Sequence, residues 1–149
     1  MQKLWRHFMT FTYKIPCLDL KQTAGSGQVF RMIPSDKTTN TWQVISHGHF
    51  CFIRQENNTF FLECEPDFED FWKNYFDMDT DYEKMIVSIT PGDTYLQAAA
   101  QAGKGIRILR QDTWEMIITF VISQQKTIPA IRALEEALNS RYGTPLLFT

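Results

Sequence analysis

Cysteine is scarce in this chain: Cys17, Cys51 and Cys64 are the only three, and no two are spaced as CxxC. An odd and sparse set excludes the disulfide framework of small secreted domains and gives no paired thiols for a dithiol redox centre. The three are expected to be reduced, as small apolar residues in a core. Long apolar runs are missing too. No stretch reaches the 18 or so residues a membrane-spanning helix needs, so no membrane partner is expected. Lys3, Arg6 and His7 are not followed by the apolar core of a secretory leader, which makes a cytoplasmic address the expectation. Internal repeats and low-complexity tracts are absent, which excludes solenoids and disordered linkers. Net charge is nearly absent as well, at -2 for the 149 residues. On its face that argues against a polyanion-binding protein.

The small net charge is a cancellation. Residues 1–55 carry +5, residues 56–83 carry -9 with Lys73 as their single base, and residues 84–149 carry +2. Local sign decides what a surface attracts, so a polyanion could still dock on the two flanking segments. What the chain has in plenty is apolar and aromatic: 44% hydrophobic, with 12 Phe, 5 Tyr and 4 Trp. That composition excludes a disordered tail or a coiled-coil rod. At this length folding removes about two-thirds of the chain's surface, enough for a real core. One domain, or one and part of another, is expected.

The first 65 residues read as strands over 8–13, 28–33, 41–46, 49–54 and 59–64, parted by Gly or Asn clusters, as in an antiparallel meander. The period then changes. Phe68, Phe71, Trp72, Tyr75 and Phe76 share one helical face, with Asp67 as N-cap and Glu69 and Asp70 in the first turn. A second helix follows Thr80, with Glu83 completing a capping box and Tyr82, Met85, Ile86 and Ile89 as its apolar face. An Ala-rich helix over 94–102 ends at Gly103, and Gly103-Lys104-Gly105 reads as a domain boundary. Asp112, with Glu115 three residues on, starts a helix so apolar on all sides that it is expected to be buried all round. A last helix runs from Thr127, its N-cap, to Tyr142, stopped by Gly143 and Pro145. Apolar residues follow Pro145 with no closing element, so the second domain is expected to be cut short.

Four places carry candidate chemistry. His47 and His49 form an HxH pair that a strand would point to one side, but no third ligand is positioned for zinc or iron, so no metal is expected. Gly25 and Gly27 read as a plain turn; a phosphate loop fails because neither a following helix nor a Lys-Ser/Thr pair is present. Ser123-Gln-Gln-Lys-Thr127 admits two readings. It is a simple loop between two apolar helices, or a nucleic-acid contact in which Gln side chains reach base edges, Lys126 supplies a point charge and the amides after Thr127 meet a phosphate. The aromatic residues are expected to be core, with a small-molecule pocket as the lesser reading.

Three segments, in this order, resemble one family. Asp19-Leu-Lys-Gln-Thr-Ala-Gly-Ser-Gly-Gln-Val-Phe-Arg31 is similar to the N-terminal-domain signature of the 8-oxoguanine DNA glycosylases. Tyr75-Phe-Asp-Met-Asp79 resembles a further landmark of that family. Gly105-Ile-Arg-Ile-Leu-Arg-Gln-Asp112, the apolar helix and Phe120-Val-Ile-Ser-Gln-Gln-Lys-Thr-Ile-Pro129 resemble the third. Together they span roughly residues 8–135 and are far more specific than any one alone. The resemblance implies an α+β chain: an antiparallel sheet flanked by helices, TATA-binding-protein-like, over 1–103, then the first helices of an incomplete all-α helix-hairpin-helix domain over 104–149.

The implied function is that of a DNA repair enzyme that flips 8-oxoguanine out of duplex DNA, cleaves its glycosidic bond and nicks the strand in base excision repair. Double-stranded DNA containing oxidised guanine is then the partner, with the protein a monomer, cytoplasmic and nucleoid-associated in a bacterium. By the same resemblance the Gly27 carbonyl accepts a hydrogen bond from N7–H of the lesion, where guanine carries an acceptor. Gln125 matches the position where the family commonly uses Asn to fill the space of the flipped base and meet the orphaned cytosine, with Lys126 and Thr127 beside it. Ala130 stands where relatives often have Arg. The family's Leu-Pro-Gly-x-Gly loop, nucleophilic Lys and catalytic Asp fall in the region that would follow residue 149, and Lys104 and Lys126 match neither role. No catalytic residue and no cofactor is assigned, and this chain by itself is expected to be inactive. The alternative is a stand-alone, non-catalytic DNA- or ligand-binding module with the same sheet domain.

Overall fold

A computed structural model describes residues 7–36 and 38–146. Lys3, Arg6, Leu147, Phe148 and Thr149 lie outside the described residues. The N-terminal half is an antiparallel sheet of β1 (Met9–Lys14), β2 (Met32–Pro34), β3 (Thr41–Ser46), β4 (His49–Glu56) and β5 (Thr59–Cys64). Its order is β1-β5-β4-β3-β2, so β2 to β5 form the expected meander and β1 closes the other edge beside β5. Alternation along β4 and β5 sets the inward face: Cys51 pairs with Cys64 and Ile53 with Leu62, all four buried. Cys51 and Cys64 are free thiols. Burial pushes both up, Cys64 to about 12, so they pack as apolar residues.

Helices α1 (Leu20–Gly25) and α2 (Glu69–Tyr75) contribute to the same core, with Leu20, Trp72, Tyr75 and Phe76 fully buried. The sequence reading missed α1. Its signal is local: Asp19 caps it by accepting the Gln22 amide at 2.8 Å, and Leu20, Thr23 and Ala24 recur at helical spacing as its buried face. The strand expected over 28–33 shrinks to Met32–Pro34. Gln28 is otherwise engaged. Its amide donates to the Arg107 carbonyl at 2.8 Å, its side-chain oxygen accepts the Leu109 amide at 2.9 Å, and its own carbonyl accepts from the Gln111 side chain at 2.6 Å. Asp67 is not the N-cap of α2. Pro66 fixes φ and starts a 3₁₀ turn over Pro66–Phe68 first, and the helix proper begins after Phe68 with no side-chain cap.

Next come α3 (Tyr82–Val87), α4 (Thr94–Ala102), α5 (Thr113–Ser123) and α6 (Ile128–Tyr142). The Thr80–Glu83 capping box does not form. Asp81 caps α3 through the Lys84 amide, while the Thr80 hydroxyl turns back to Asp77 at 2.8 Å. Asp93 caps α4 and Gly103 ends it. Helix α5 overturns the expectation of all-round burial: no residue of it is buried, and Trp114 and Phe120 are 67% and 69% exposed. Ile118 and Ile122 are half-buried, whereas Trp114, Met116, Ile117, Phe120 and Val121 stay exposed. No helix among them is long and apolar enough to cross a membrane.

Between α4 and α5 the chain runs without regular structure along the sheet unit, and here sits Arg107, 1% exposed. Its guanidinium donates to the carbonyls of Pro16 at 2.8 Å, Cys17 at 3.3 Å, Thr80 at 3.0 Å and Asp77, and lies 4.5 Å from the centre of the Tyr82 ring. Five fixed donors meeting four carbonyls from two loops is a geometry only Arg can supply. Arg107→Met is expected to destabilise the chain by about 3 kcal/mol, since the carbonyls lose their donors inside the fold. Urea denaturation checks this, and a loss below about 1 kcal/mol would show that the carbonyls find other partners.

Candidate nucleic-acid interface

The residues singled out from sequence fall on two loops. Gly27 follows α1 in the bend Ser26-Gly27-Gln28, with φ +84°. A Cβ placed there would meet nothing within 4 Å, so this glycine is needed for its left-handed backbone and not for lack of room. The bend is held on both sides. The Ser26 hydroxyl donates to the Thr23 carbonyl at 2.7 Å, and Gln28 is strapped to residues 107–111 as described above. Gly25 has no left-handed φ; it is the last residue of α1. Close approach does require a glycine at Gly105, at φ +96°. There a Cβ would come within 2.7 Å of the Asp19 Cβ, and the Gly105 carbonyl accepts the Asp19 amide at 2.8 Å.

Gln125, Lys126 and Thr127 form the exposed tip between α5 and α6. Ser123 and Gln124 complete the end of α5, both donating to the Phe120 carbonyl, at 2.8 and 3.0 Å. Gln125 takes φ +56°, a conformation in which Asn is more at ease than Gln. Thr127 is the N-cap residue of α6 by position, but its hydroxyl makes no capping bond. The first turn of this 15-residue helix is therefore left without a side-chain cap, the arrangement in which free backbone amides, Pro129 having none, donate to an anion. Gly27 belongs to the sheet unit and residues 125–127 to the helical hairpin; residues 105–112 join the two.

The two rings of the HxH pair do lie side by side, 6.0 Å apart and both near Phe71, but not as two residues of one strand. His47 and Gly48 form the two-residue β3–β4 turn with φ +49° and +72°, so only His49 lies on a strand. His47 Nδ1 lies 3.1 Å from Asp112, and the His49 ring packs 3.8 Å from that of Phe68. Among the described residues no group of three or more His, Cys, Asp or Glu could hold a metal. The acidic stretch is not all solvated helix starts either. Asp77 is nearly buried and accepts from Thr80, Tyr82 and Arg110. Partial burial pushes its carboxyl up, but those three donors and the Arg110 charge outweigh it and hold the group below its ordinary value.

Beside the Gln28 strap, Val29–Arg31, Tyr75, α5 and α6 enclose a cavity of about 330 Å³. Glu135 faces it, 9% exposed, and accepts the Thr119 hydroxyl. Burial raises its carboxyl above the ordinary value, the Thr119 bond and the Arg31 charge oppose the rise, and Glu115 adds to it.

The sequence pattern of the 8-oxoguanine DNA glycosylase N-terminal domain matches residues 10–117. Among solved structures the chain is similar to MBOgg1 in complex with a low-affinity DNA ligand, at 32% identity and a TM-score of 0.85, over 94% of this chain and 48% of that one. It is also similar to the apo form of the Clostridium acetobutylicum 8-oxoguanine glycosylase/lyase, at 25% identity and a TM-score of 0.80, over 94% of this chain and 49% of that one. The same enzyme in complex with double-stranded DNA containing cytosine opposite 8-oxoG matches at 24% identity, a TM-score of 0.80 and 95% and 51% coverage, and speaks for the fold alone. Sheet, flanking helices and helical hairpin are thus those of DNA glycosylases. The chain belongs to the 8-oxoguanine DNA glycosylase family, and it spans about half the length of these relatives.

Glu135 generates a pH prediction. A carboxyl whose folded value is raised binds its proton more tightly in the fold than in the unfolded chain, where it titrates near about 4.3. Above that pH its ionisation costs stability, and the cost is complete above the folded value. Glu135→Gln, which keeps an oxygen for Thr119, is expected to be more stable than the parent at pH 8, with the gain vanishing toward pH 4. Urea midpoints at the two pH values decide; a gain of equal size at both would rule out ionisation as its cause.

Proposed function

We propose that this chain is the lesion-recognition half of an 8-oxoguanine DNA glycosylase with strand-nicking lyase activity, acting on duplex DNA as a monomer in the cytoplasm. The observation that carries the reading is Gly27. Within the matched segment it takes a left-handed conformation with open space around it, and its neighbours on both sides are tied down. A backbone carbonyl at such a bend is a fixed acceptor. It attracts the N7–H of 8-oxoguanine and repels the N7 lone pair of guanine, which separates two bases that differ little in shape. Gln125 would fill the gap left by the flipped base and meet the cytosine, with Lys126 and the first amides of α6 on the phosphates. We further propose the division into 1–103 and 104–149, with residues 105–111 lying against the first unit. The nucleophile and its acidic partner would come from residues beyond these 149, as would the cover for α5.

The expected outcome on a fluorescent duplex is tighter binding of 8-oxoguanine:cytosine than of guanine:cytosine by the 149-residue chain, read by anisotropy, with the preference lost in Gly27→Val. Borohydride trapping on the lesion duplex is expected to give no covalent adduct with this chain. An adduct would place the nucleophile inside it, and an unaltered preference in Gly27→Val would remove Gly27 from recognition. Equal binding of both duplexes by the parent chain would favour the non-catalytic module.

A further inference from the structure

A Glu at the third position of a helix ordinarily folds back to the amide of its own N-cap residue. Glu115 does not. One carboxylate oxygen accepts the Ser46 hydroxyl at 2.6 Å and the other accepts the His47 amide at 2.6 Å, both on the β3–β4 turn. His47 and the Gly48 that follows it both have positive φ. Asp112, which caps α5 through the Trp114 and Glu115 amides, holds the same turn through His47 Nδ1. Two acids of one helical turn thus grip one hairpin tip. This is the polar anchorage of a helix that buries none of its own residues.

We propose that Glu115 is a positioning residue that sets the distance between the Gly27 bend and the Gln125 tip; the inference rests on the function proposed above. Gln111 and Asp112 fix where α5 begins, and Glu115, a turn further in, fixes its tilt. The helix has 11 residues, so about 16 Å separate its ends, and a tilt of about 10° moves the far end by about 3 Å. The Gly27 bend stays where the Gln28 strap holds it. A flipped base and its orphaned partner must be met at once by two loops, and a misplacement of even about 1 Å is costly in such a site.

Two measurements on the 149-residue chain test this. Spin labels at Lys21→Cys and Gln124→Cys, both exposed in the parent, report the span in a Cys17→Ser background. Glu115→Ala is expected to shift the mean distance by about 3 Å or to broaden it by that much, with Glu115→Gln in between, since Gln keeps one acceptor. Binding to lesion and undamaged duplexes gives the second reading. Glu115→Ala should reduce the ratio of the two affinities at least fivefold while undamaged-duplex binding stays within twofold, an outcome that loss of stability alone does not produce. Ser46→Ala should lower the ratio less, and the double variant no further than Glu115→Ala, because both changes break one link. An unchanged distance distribution, or additive effects of the two substitutions, overturns the proposal. Where the parent chain binds both duplexes alike, the proposed function fails and the distance measurement alone judges Glu115.

Discussion

A positive charge buried between loops holds this molecule together. Arg107 is out of water, and burial lowers its proton affinity, while Tyr82 and the nearby carboxylates of Asp77 and Asp81 favour its charge. An unpaired buried charge would be costly, so the fold supplies carbonyls from residues 16–17 on one side and 77–80 on the other. The rest of the arrangement follows. With Arg107 fixed, its neighbours cannot join the sheet and run alongside it, offering backbone groups to α1 and Gln28. The Gly105 carbonyl takes the Asp19 amide, the Leu109 amide takes the Gln28 side chain, and the Arg110 amide reaches the Tyr75 carbonyl at 2.9 Å. Gly27 on one side and the start of α5 on the other are therefore referenced to one rigid segment.

This also shows why the acidic stretch says little about DNA. Its most buried member, Asp77, is spent on Arg110 and on two hydroxyls, and two others, Asp70 and Lys73, form an exposed pair at 3.4 Å within α2. Such local pairing adds little to stability when exposed, and it removes charge from the field a polyanion would meet. The -9 of residues 56–83 and the +2 of residues 84–149 are properties of separate places. The Gln125 tip lies in the second of these, with Lys126 beside it.

Much of the fold was legible because its signals are local. Alternation, turn residues, Ala content and the start signals at Asp112 and Thr127 identified β1, β3, β4 and β5, and the bounds of α4 and α6 and the start of α5 to within a residue or two. What escaped depends on contacts distant in sequence. The segment over 28–31 has strand composition, yet Gln28 spends its hydrogen bonds on residues about 80 positions away. Asp67 looks like a cap until Pro66 starts the turn earlier. Reading Gly103-Lys104-Gly105 as a boundary gave no sign that the conformation of Gly105 answers to Asp19. For the proposed site, the two residues put forward by resemblance, Gly27 and Gln125, both lie in exposed loops with positive φ. Periodicity put both histidines of the HxH pair on a strand, whereas His47 sits in a two-residue turn with positive φ and the rings still lie 6.0 Å apart. Glu115 was legible as a helix-start residue but not as a cross-link, because nothing in Asp112-Thr-Trp-Glu115 names Ser46.

The exposed face of α5 marks the division of labour within the family's fold. A helix this apolar, with Trp114, Met116, Ile117, Phe120 and Val121 in solvent, is far from a comfortable surface helix. The loops at its end are nonetheless well built: the helix is capped by Asp112, tied through Glu115 and closed by Ser123 and Gln124. Polar anchorage and apolar cover are thus supplied separately. The anchorage comes from the sheet unit, while five large apolar side chains of α5 stay exposed in a chain that spans about half the length of its relatives. Under the proposed function, the Gly27 carbonyl and the Gln125 side chain would both be positioned by this half of the family's fold.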